Sequence, residues 1–174
     1  WEKLQDSSIV ISGATGLLGS FLIDVLMHKS ADGLNCHIYA LGRNAEKAKG
    51  RFGAYFNEKT FSFIECDIND STFTDKLPTQ ADYVFHAASN THPMAYATDP
   101  IGTITANIFA TNSFLQYCSE HGVKRFVFAS SNEIYGENRG DVELFDEKYC
   151  GYIDCNTMRA GYPESKRCSE ALCQ

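Results

Sequence analysis

The run Ile9-Val10-Ile11-Ser12-Gly13-Ala14-Thr15-Gly16-Leu17-Leu18-Gly19-Ser20-Phe21-Leu22 decides the fold of this chain. Ile9 to Ser12 is short and mostly apolar, as a strand covered on both faces should be. Leu17, Leu18, Phe21, Leu22, Val25 and Leu26 then recur at one-, three- and four-residue steps, which predicts one apolar helical stripe. Between them lie three glycines. Strand, glycine turn and helix together aim backbone N–H groups and the positive end of a helix at a pyrophosphate. Gly13 permits the tight turn, Gly16 lets phosphates approach the backbone, and Gly19 lets helix and strand pack closely. Such a turn can also serve chain reversal alone. The flanking elements favour dinucleotide binding, with Gly13, Thr15, Gly16, Leu17, Leu18 and Gly19 as the contacts.

Outward from this run the chain alternates short apolar stretches with amphipathic ones. Further strands are predicted at His37 to Leu41, Phe61 to Cys66, Tyr83 to Ala88 and Arg125 to Ala129, giving an α/β fold with a five-stranded parallel sheet. A long helix is predicted over about Pro100 to His121, capped by Asp99 and ended by Gly122, with Ile104, Ile108, Leu115 and Cys118 on one face. A last helix begins near Tyr162, with Pro163 in its first turn, and the chain is read as stopping inside it. Residues Gly136 to Gly161 form a long connection of the kind that lines a site or is mobile.

Composition narrows the function. The 174 residues suit one domain, and 44% hydrophobic residues allow a sizeable core. Twenty-two acidic residues against 15 basic ones give a formal charge of −7. With no Lys/Arg cluster on a predicted element, neither nucleic acid nor an anionic membrane is expected as partner. No apolar run approaches the roughly 18 residues of a membrane span; Asp24 interrupts Phe21 to Met27, and Trp1-Glu2-Lys3 does not read as a signal peptide. Seven cysteines without a CxxC pair read as free thiols in a reducing cytoplasm. His28, His37, His86, His92 and His121 lack ligand spacing with them, so no metal is expected.

Tyr162 and Lys166 stand four apart, which on a helix gives one shared face and a rise of about 6 Å. An ammonium beside a phenol favours the phenolate, a base for a hydroxyl proton. An ordinary exposed helix pair is the plain alternative. At the end of the second strand, Leu41-Gly42-Arg43-Asn44 offers no carboxylate for ribose hydroxyls. Arg43 is instead placed to pair with the 2′-phosphate of NADP, or is simply an exposed loop arginine.

The glycine spacing is GxxGxxG. With it stand Asp67-Ile68 after the third strand, His86-Ala87-Ala88 ending the fourth, Asn107 in the long helix, Ser130-Ser131-Asn132-Glu133-Ile134-Tyr135-Gly136 after the fifth, and Tyr162-Pro163-Glu164-Ser165-Lys166. In these motifs the chain resembles the extended branch of the short-chain dehydrogenase/reductase superfamily, the NAD-dependent epimerase/dehydratase group of nucleotide-sugar epimerases, dehydratases and decarboxylases. The resemblance implies a Rossmann-type doubly wound parallel sheet, with residues 1–174 as the NAD(P)-binding domain. The family's substrate lobe would follow, and Trp1 in place of Met suggests a portion of a longer protein, inactive by itself.

The same resemblance implies roles. Asp67 and Ile68 would flank the adenine, Ala87 and Ala88 pass beneath the cofactor, and Asn107 mark a helix kink and water relay. Ser131 would hold the reacting sugar oxygen, while Tyr162 and Lys166 touch both sugar and cofactor. Read alone, an exposed acid, small strand-end residues and a polar helix position account for the first of these equally well. Relatives that eliminate or decarboxylate carry Glu at the position of Glu133, and simple epimerases generally do not. Asn132 replaces the Asp by which dehydratases protonate a departing hydroxyl, and Arg159 to Arg167 resembles the decarboxylase form of its motif. The expected function is therefore a nucleotide-sugar lyase working through a 4-keto intermediate, with NAD ahead of NADP. A 4-epimerase and a non-catalytic cofactor-binding module are the alternatives. Relatives pair through the helices at Pro100 to His121 and from Tyr162 onward, so a homodimer is expected of the full-length protein.

Overall fold

Five short strands carry the chain: β1 (Ser8–Ser12), β2 (His37–Gly42), β3 (Phe61–Glu65), β4 (Tyr83–His86) and β5 (Arg125–Phe128). The computed structural model describes residues 1–90 and 93–174. Thr91 and His92 lie outside the described residues, and with them the reading of His92 as no metal ligand. All strand pairs are parallel, in the order β3-β2-β1-β4-β5. The helices are α1 (Leu17–Lys29), α2 (Ala45–Phe52), α3 (Pro93–Thr98), α4 (Pro100–Glu120) and α5 (Gly161–Leu172). The Rossmann-like α/β fold expected from the sequence is the one observed. Winding reverses between β1 and β4, so the carboxyl ends of these two neighbours form the switch point at which such sheets bind ligands.

The chain divides into two compact units, Trp1–Ala88 with Ser113–Ala129, and Ser89–Asn112 with Ser130–Gln174. The first holds the sheet. Strand alternation sends Ile9 and Ile11 into a cluster with Ile23, Leu26, Ile38, Ala40, Phe52 and Phe61. On the alternate positions Val10 and Val84 are also buried, and Phe114 meets Phe73 and His86, each at 4.8 Å between ring centroids.

Two helix faces differ from the sequence reading. In α1 the buried positions are Gly19, Ser20, Ile23, Leu26 and Met27, whereas Leu17, Leu18 and Phe21 of the expected stripe are exposed. In α4 the buried positions include Thr103, Ala106, Asn107, Ala110, Thr111, Phe114 and Tyr117, while Ile108, Leu115 and Cys118 are only partly covered and Ile104 is exposed. The inward faces combine large residues such as Ile23, Leu26, Phe114 and Tyr117 with small or polar ones such as Gly19, Ser20, Thr103, Ala106 and Asn107, which permit close backbone approach. The α4 signals themselves hold. Asp99 Oδ1 accepts the Gly102 N–H at 2.8 Å, and Gly122 has φ +66° with the Val123 N–H reaching the Cys118 carbonyl at 3.0 Å.

Smaller differences have local causes. Helix α2 escapes the sequence reading because only Ala48 and Phe52 are buried, too sparse a stripe; its cap is Asn44, whose side chain accepts the Lys47 N–H at 2.7 Å. Strand β4 ends at His86, two residues before the predicted end, because the Ala87 and Ala88 amides leave the ladder for the Ser12 side chain. Helix α5 ends at Leu172, two residues before Gln174.

Candidate functional site

In the first unit the glycine loop is built by close backbone contact. Gly13 has φ +69°, and a Cβ there would stand 2.8 Å from Ala87 C and Ala88 N. A Cβ on Gly19 would strike the Gly13 carbonyl. At Gly16 an added Cβ meets only the Gly13 carbonyl, at 3.1 Å. Gly13, Gly19, Ala87 and Ala88 are thus gathered at the switch point between β1 and β4. Helix α1 has Gly16 as its N-cap, with no side-chain cap bond and no acid in its first turn, in contrast to Asn44-capped α2. Its first-turn N–H groups keep their donor capacity for an anion, so the loop fits a dinucleotide pyrophosphate.

Ser12, which the sequence reading did not single out, ties this corner together. Its Oγ accepts the Ala87 and Ala88 N–H groups, each at 3.2 Å, and lies 2.7 Å from His86 Nδ1. Having accepted two amides, the hydroxyl gives its proton to Nδ1, which places the ring proton on Nε2. Thr15 is half-buried; Leu17 and Leu18 expose their side chains. Arg43 is exposed just after β2 and joins no ion pair among the described residues. Beyond β3, Asp67 is exposed and its Oδ1 accepts the Asn69 N–H at 3.0 Å, while Ile68 is half-buried.

The second unit carries the titratable residues. Ser131 caps the 3-10 turn Asn132–Tyr135, its Oγ accepting the Glu133 N–H at 3.2 Å, which leaves the hydroxyl proton free to be donated. Glu133 is part-buried and pairs with Arg159, Oε1 to Nη2, at 3.5 Å. Tyr162 is 5% exposed and stacks on Tyr96 with centroids 4.6 Å apart and planes 9° off parallel. Lys166 is 2% exposed, with Nζ 5.9 Å from the Tyr162 ring centroid. Burial pulls its ammonium down to about 8, against Glu170, which raises it. The Tyr96 hydroxyl is pushed up to about 12 by burial first, then by Glu133 and Tyr162, against Arg159. Tyr96 thus stacks on Tyr162 and feels the charges of Glu133 and Arg159.

Asn107 is fully buried within this unit. Its Nδ2 donates to Ser165 Oγ at 2.9 Å, and its Oδ1 accepts from Ser89 Oγ at 2.7 Å. Ser165 Oγ in turn donates to the Tyr162 carbonyl at 2.8 Å, and Ser169 Oγ to the Asn107 carbonyl at 2.9 Å. The amide therefore ties α4 to the helix that bears Tyr162 and Lys166. The long connection after Gly136 borders a cavity of about 400 Å³ whose wall includes Glu133, Glu137, Tyr152, Asp154 and Arg159. Neither Tyr96 nor Ser89 stood out in the sequence, because nothing in their local spacing marks a partner far along the chain. Among the described residues no group of three or more His, Cys, Asp or Glu is placed to hold a metal, and no helix is long and apolar enough to cross a membrane.

A model of the NAD dependent epimerase/dehydratase family matches residues 9–174. The chain belongs to that family. Among curated family relatives it is similar to UDP-glucuronic acid decarboxylase 1 of Xenopus tropicalis, 29% identical over 95% of this chain and 36% of that protein. UDP-glucuronic acid decarboxylase 4 of Arabidopsis thaliana is 27% identical over 94% of this chain and 34% of that protein. Among solved structures, the UDP-Glc/GlcNAc 4-epimerase of Campylobacter jejuni superposes with TM-score 0.78 at 23% identity, over 95% of this chain and 47% of that one. A variant of the UDP-glucuronic acid 4-epimerase of Bacillus cereus, in complex with UDP-4-deoxy-4-fluoro-glucuronic acid and NAD, gives TM-score 0.77 at 24% identity over 95% and 51%. The chain spans about a third of these curated relatives and about half of these solved chains.

Proposed function

We propose that the protein carrying this chain is a nucleotide-sugar lyase of the decarboxylase or dehydratase type, that it acts on a nucleotide-linked hexose or uronic acid through a transient 4-keto sugar, and that residues 1–174 are its NAD(P)-binding domain. The observation that carries the reading is the second unit's cavity, whose wall holds the acid Glu133 together with Pro163, the neighbour of the buried Tyr162 in the chain, with Ser131 capping the turn that bears the acid. The curated relatives supply the decarboxylase direction.

In this reading the glycine loop holds the pyrophosphate of NAD on the N–H groups at the start of α1, with Ala87 and Ala88 as the floor. Arg43 is the residue that would meet a 2′-phosphate if NADP were taken instead. Bound NAD supplies a hydride acceptor. Tyr162 accepts the proton of the sugar hydroxyl as the base, and Lys166, still mostly charged at pH 7 with its value near 8, stabilises the phenolate. Ser131 donates its free hydroxyl proton to the same sugar oxygen. Glu133 exchanges a proton with the carbon beside the new ketone. The Asn132 amide is no acid for a departing hydroxyl, whereas carbon dioxide leaves without a proton, so decarboxylation is the better fit.

Association fits the same reading. Ile101, Phe109 and Leu172 are large apolar side chains left exposed on α4 and α5, in keeping with a homodimer through these helices. All seven cysteines are free, four of them exposed, which fits a reducing, cytoplasmic setting. The test is to incubate this chain, and a longer form of the protein, with NAD and UDP-glucuronic acid, following nicotinamide absorbance and carbon dioxide. Transient reduced nicotinamide, reoxidised as its hydride returns to the 4-keto sugar, together with carbon dioxide release, is expected of the longer form. Inversion at C4 without carbon dioxide would replace the lyase with an epimerase, and cofactor binding with no chemistry would leave a binding module.

A further inference from the structure

Part of the wall of the cavity in the second unit is two backbone limbs, at Gly136 and Glu137 and at Tyr152 to Asp154, that contain no helix or long strand, and something must hold them. The limbs meet at one antiparallel bridge, in which the Glu137 N–H reaches the Tyr152 carbonyl at 3.0 Å. Contact there is backbone on backbone: a Cβ at Gly136 would strike the Tyr152 carbonyl, and one at Gly151 the Tyr135 carbonyl. One side chain ties both limbs to α5. Arg167 Nε donates to the Ile134 carbonyl at 2.6 Å and Nη2 donates to the Gly151 carbonyl at 2.6 Å, with Nη1 3.9 Å from Glu164 Oε1. Ile134 follows Glu133 directly, and Arg167 follows Lys166 directly.

We propose that Arg167 is a positioning residue: its guanidinium fork fixes the turn bearing Glu133, and the limb bearing Tyr152, in register with the helix bearing Tyr162 and Lys166. The proposal rests on the lyase reading for its kinetic consequence and on the hydrogen bonds alone for its structural one. Charge-assisted donors in a rigid fork suit two carbonyls presented from different directions, and a lysine offers only a point contact. Without the fork Glu133 keeps its carboxylate but loses its place, and displacement by about 1 Å costs on the order of 10²-fold in a step that depends on it.

The experiment compares Arg167→Ala and Arg167→Lys with Glu133→Gln and Tyr162→Phe in the longer form of the protein, after circular dichroism has confirmed folding. Amide exchange should rise about tenfold or more at Gly136 and Glu137 in Arg167→Ala, stay parental in β1, and be partly restored in Arg167→Lys. In a single turnover, Arg167→Ala should form reduced nicotinamide at near the parental rate and then accumulate it, as is expected of Glu133→Gln under the lyase reading, and Arg167→Lys should accumulate less. Unchanged exchange overturns the proposal, as does loosened exchange with parental partitioning. A loss of nicotinamide reduction that parallels Tyr162→Phe also overturns it, since that is general disruption of α5. If the parental protein reduces no nicotinamide with any nucleotide sugar, the lyase reading fails instead, and the exchange measurement decides the clamp by itself. Should Arg167→Ala fail to fold, Arg167→Lys carries both measurements.

Discussion

The glycine loop of the first unit and the Asn107–Arg167 region of the second both hold backbone segments in close register, by opposite means. At the loop the contacts exist because side chains are missing: Gly13 lies against Ala87 and Ala88, and Gly19 against Gly13. In the second unit two long polar side chains do the holding, Asn107 between Ser89 and Ser165, and Arg167 between Ile134 and Gly151. A contact made by omission tolerates no addition. A contact made by hydrogen bonds is lost by deletion and leaves unpaired groups behind.

The sharpest break in this comparison lies within the glycine loop. Gly19→Val places methyl groups where the Gly13 backbone already stands, and the expected result is loss of the folded state, seen as the absence of a cooperative thermal transition. Gly16→Val should fold, because its Cβ meets only one carbonyl, at 3.1 Å, and should lose dinucleotide binding by calorimetry. If both variants fold and bind equally, the loop is a turn and no cradle.

Next in size is the chemistry of the second unit. Tyr162→Phe keeps the stack on Tyr96 but removes the base, and nicotinamide reduction in the longer form should slow by roughly 10² to 10⁴, read by stopped-flow absorbance. Parental rates would remove Tyr162 from the proposed mechanism.

Lys166 tests what holding a charge inside costs. Its folded value, near 8, lies below that of an ordinary lysine, 10.5, so the unfolded chain binds more protons between these pH values. Stability of the parent should therefore rise with pH across that window; the penalty is full below pH 8 and gone above the upper value. Lys166→Met should gain on the order of 3 kcal/mol at pH 7 in denaturant titrations, and the gain should fade as pH climbs through the window. A gain that does not depend on pH would show that packing, rather than the ammonium, sets the cost.

The smallest expected effect belongs to the polar tie. Asn107→Ala strands the half-buried Ser89 hydroxyl and one bond of the buried Ser165, and should cost about 2 kcal/mol. In the comparison's terms this loss should be graded, with a cooperative transition at a lower midpoint. A cost near zero would mean that water or rearranged serines replace the amide.

Several features were fixed by neighbours along the chain and were therefore determined by the sequence. The glycine loop, the five strands, Asp99 and Gly122 as the ends of α4, and the four-residue spacing of Tyr162 and Lys166 all depend on backbone conformation over a few residues, where φ, capping and side-chain period leave a direct imprint. Only the tertiary structure decided which faces turn inward. α1 and α4 bear apolar residues on more than one side, and burial went to Gly19, Ser20, Thr103, Ala106 and Asn107, whose small or hydrogen-bonded side chains permit close approach, leaving Leu17, Phe21 and Ile104 outward. The ties made by Ser12, Asn107 and Arg167 were likewise hidden. Each joins groups 16 to 76 positions apart, and a serine, asparagine or arginine looks the same in sequence whether it faces water or the one carbonyl, hydroxyl or amide that only folding brings within reach.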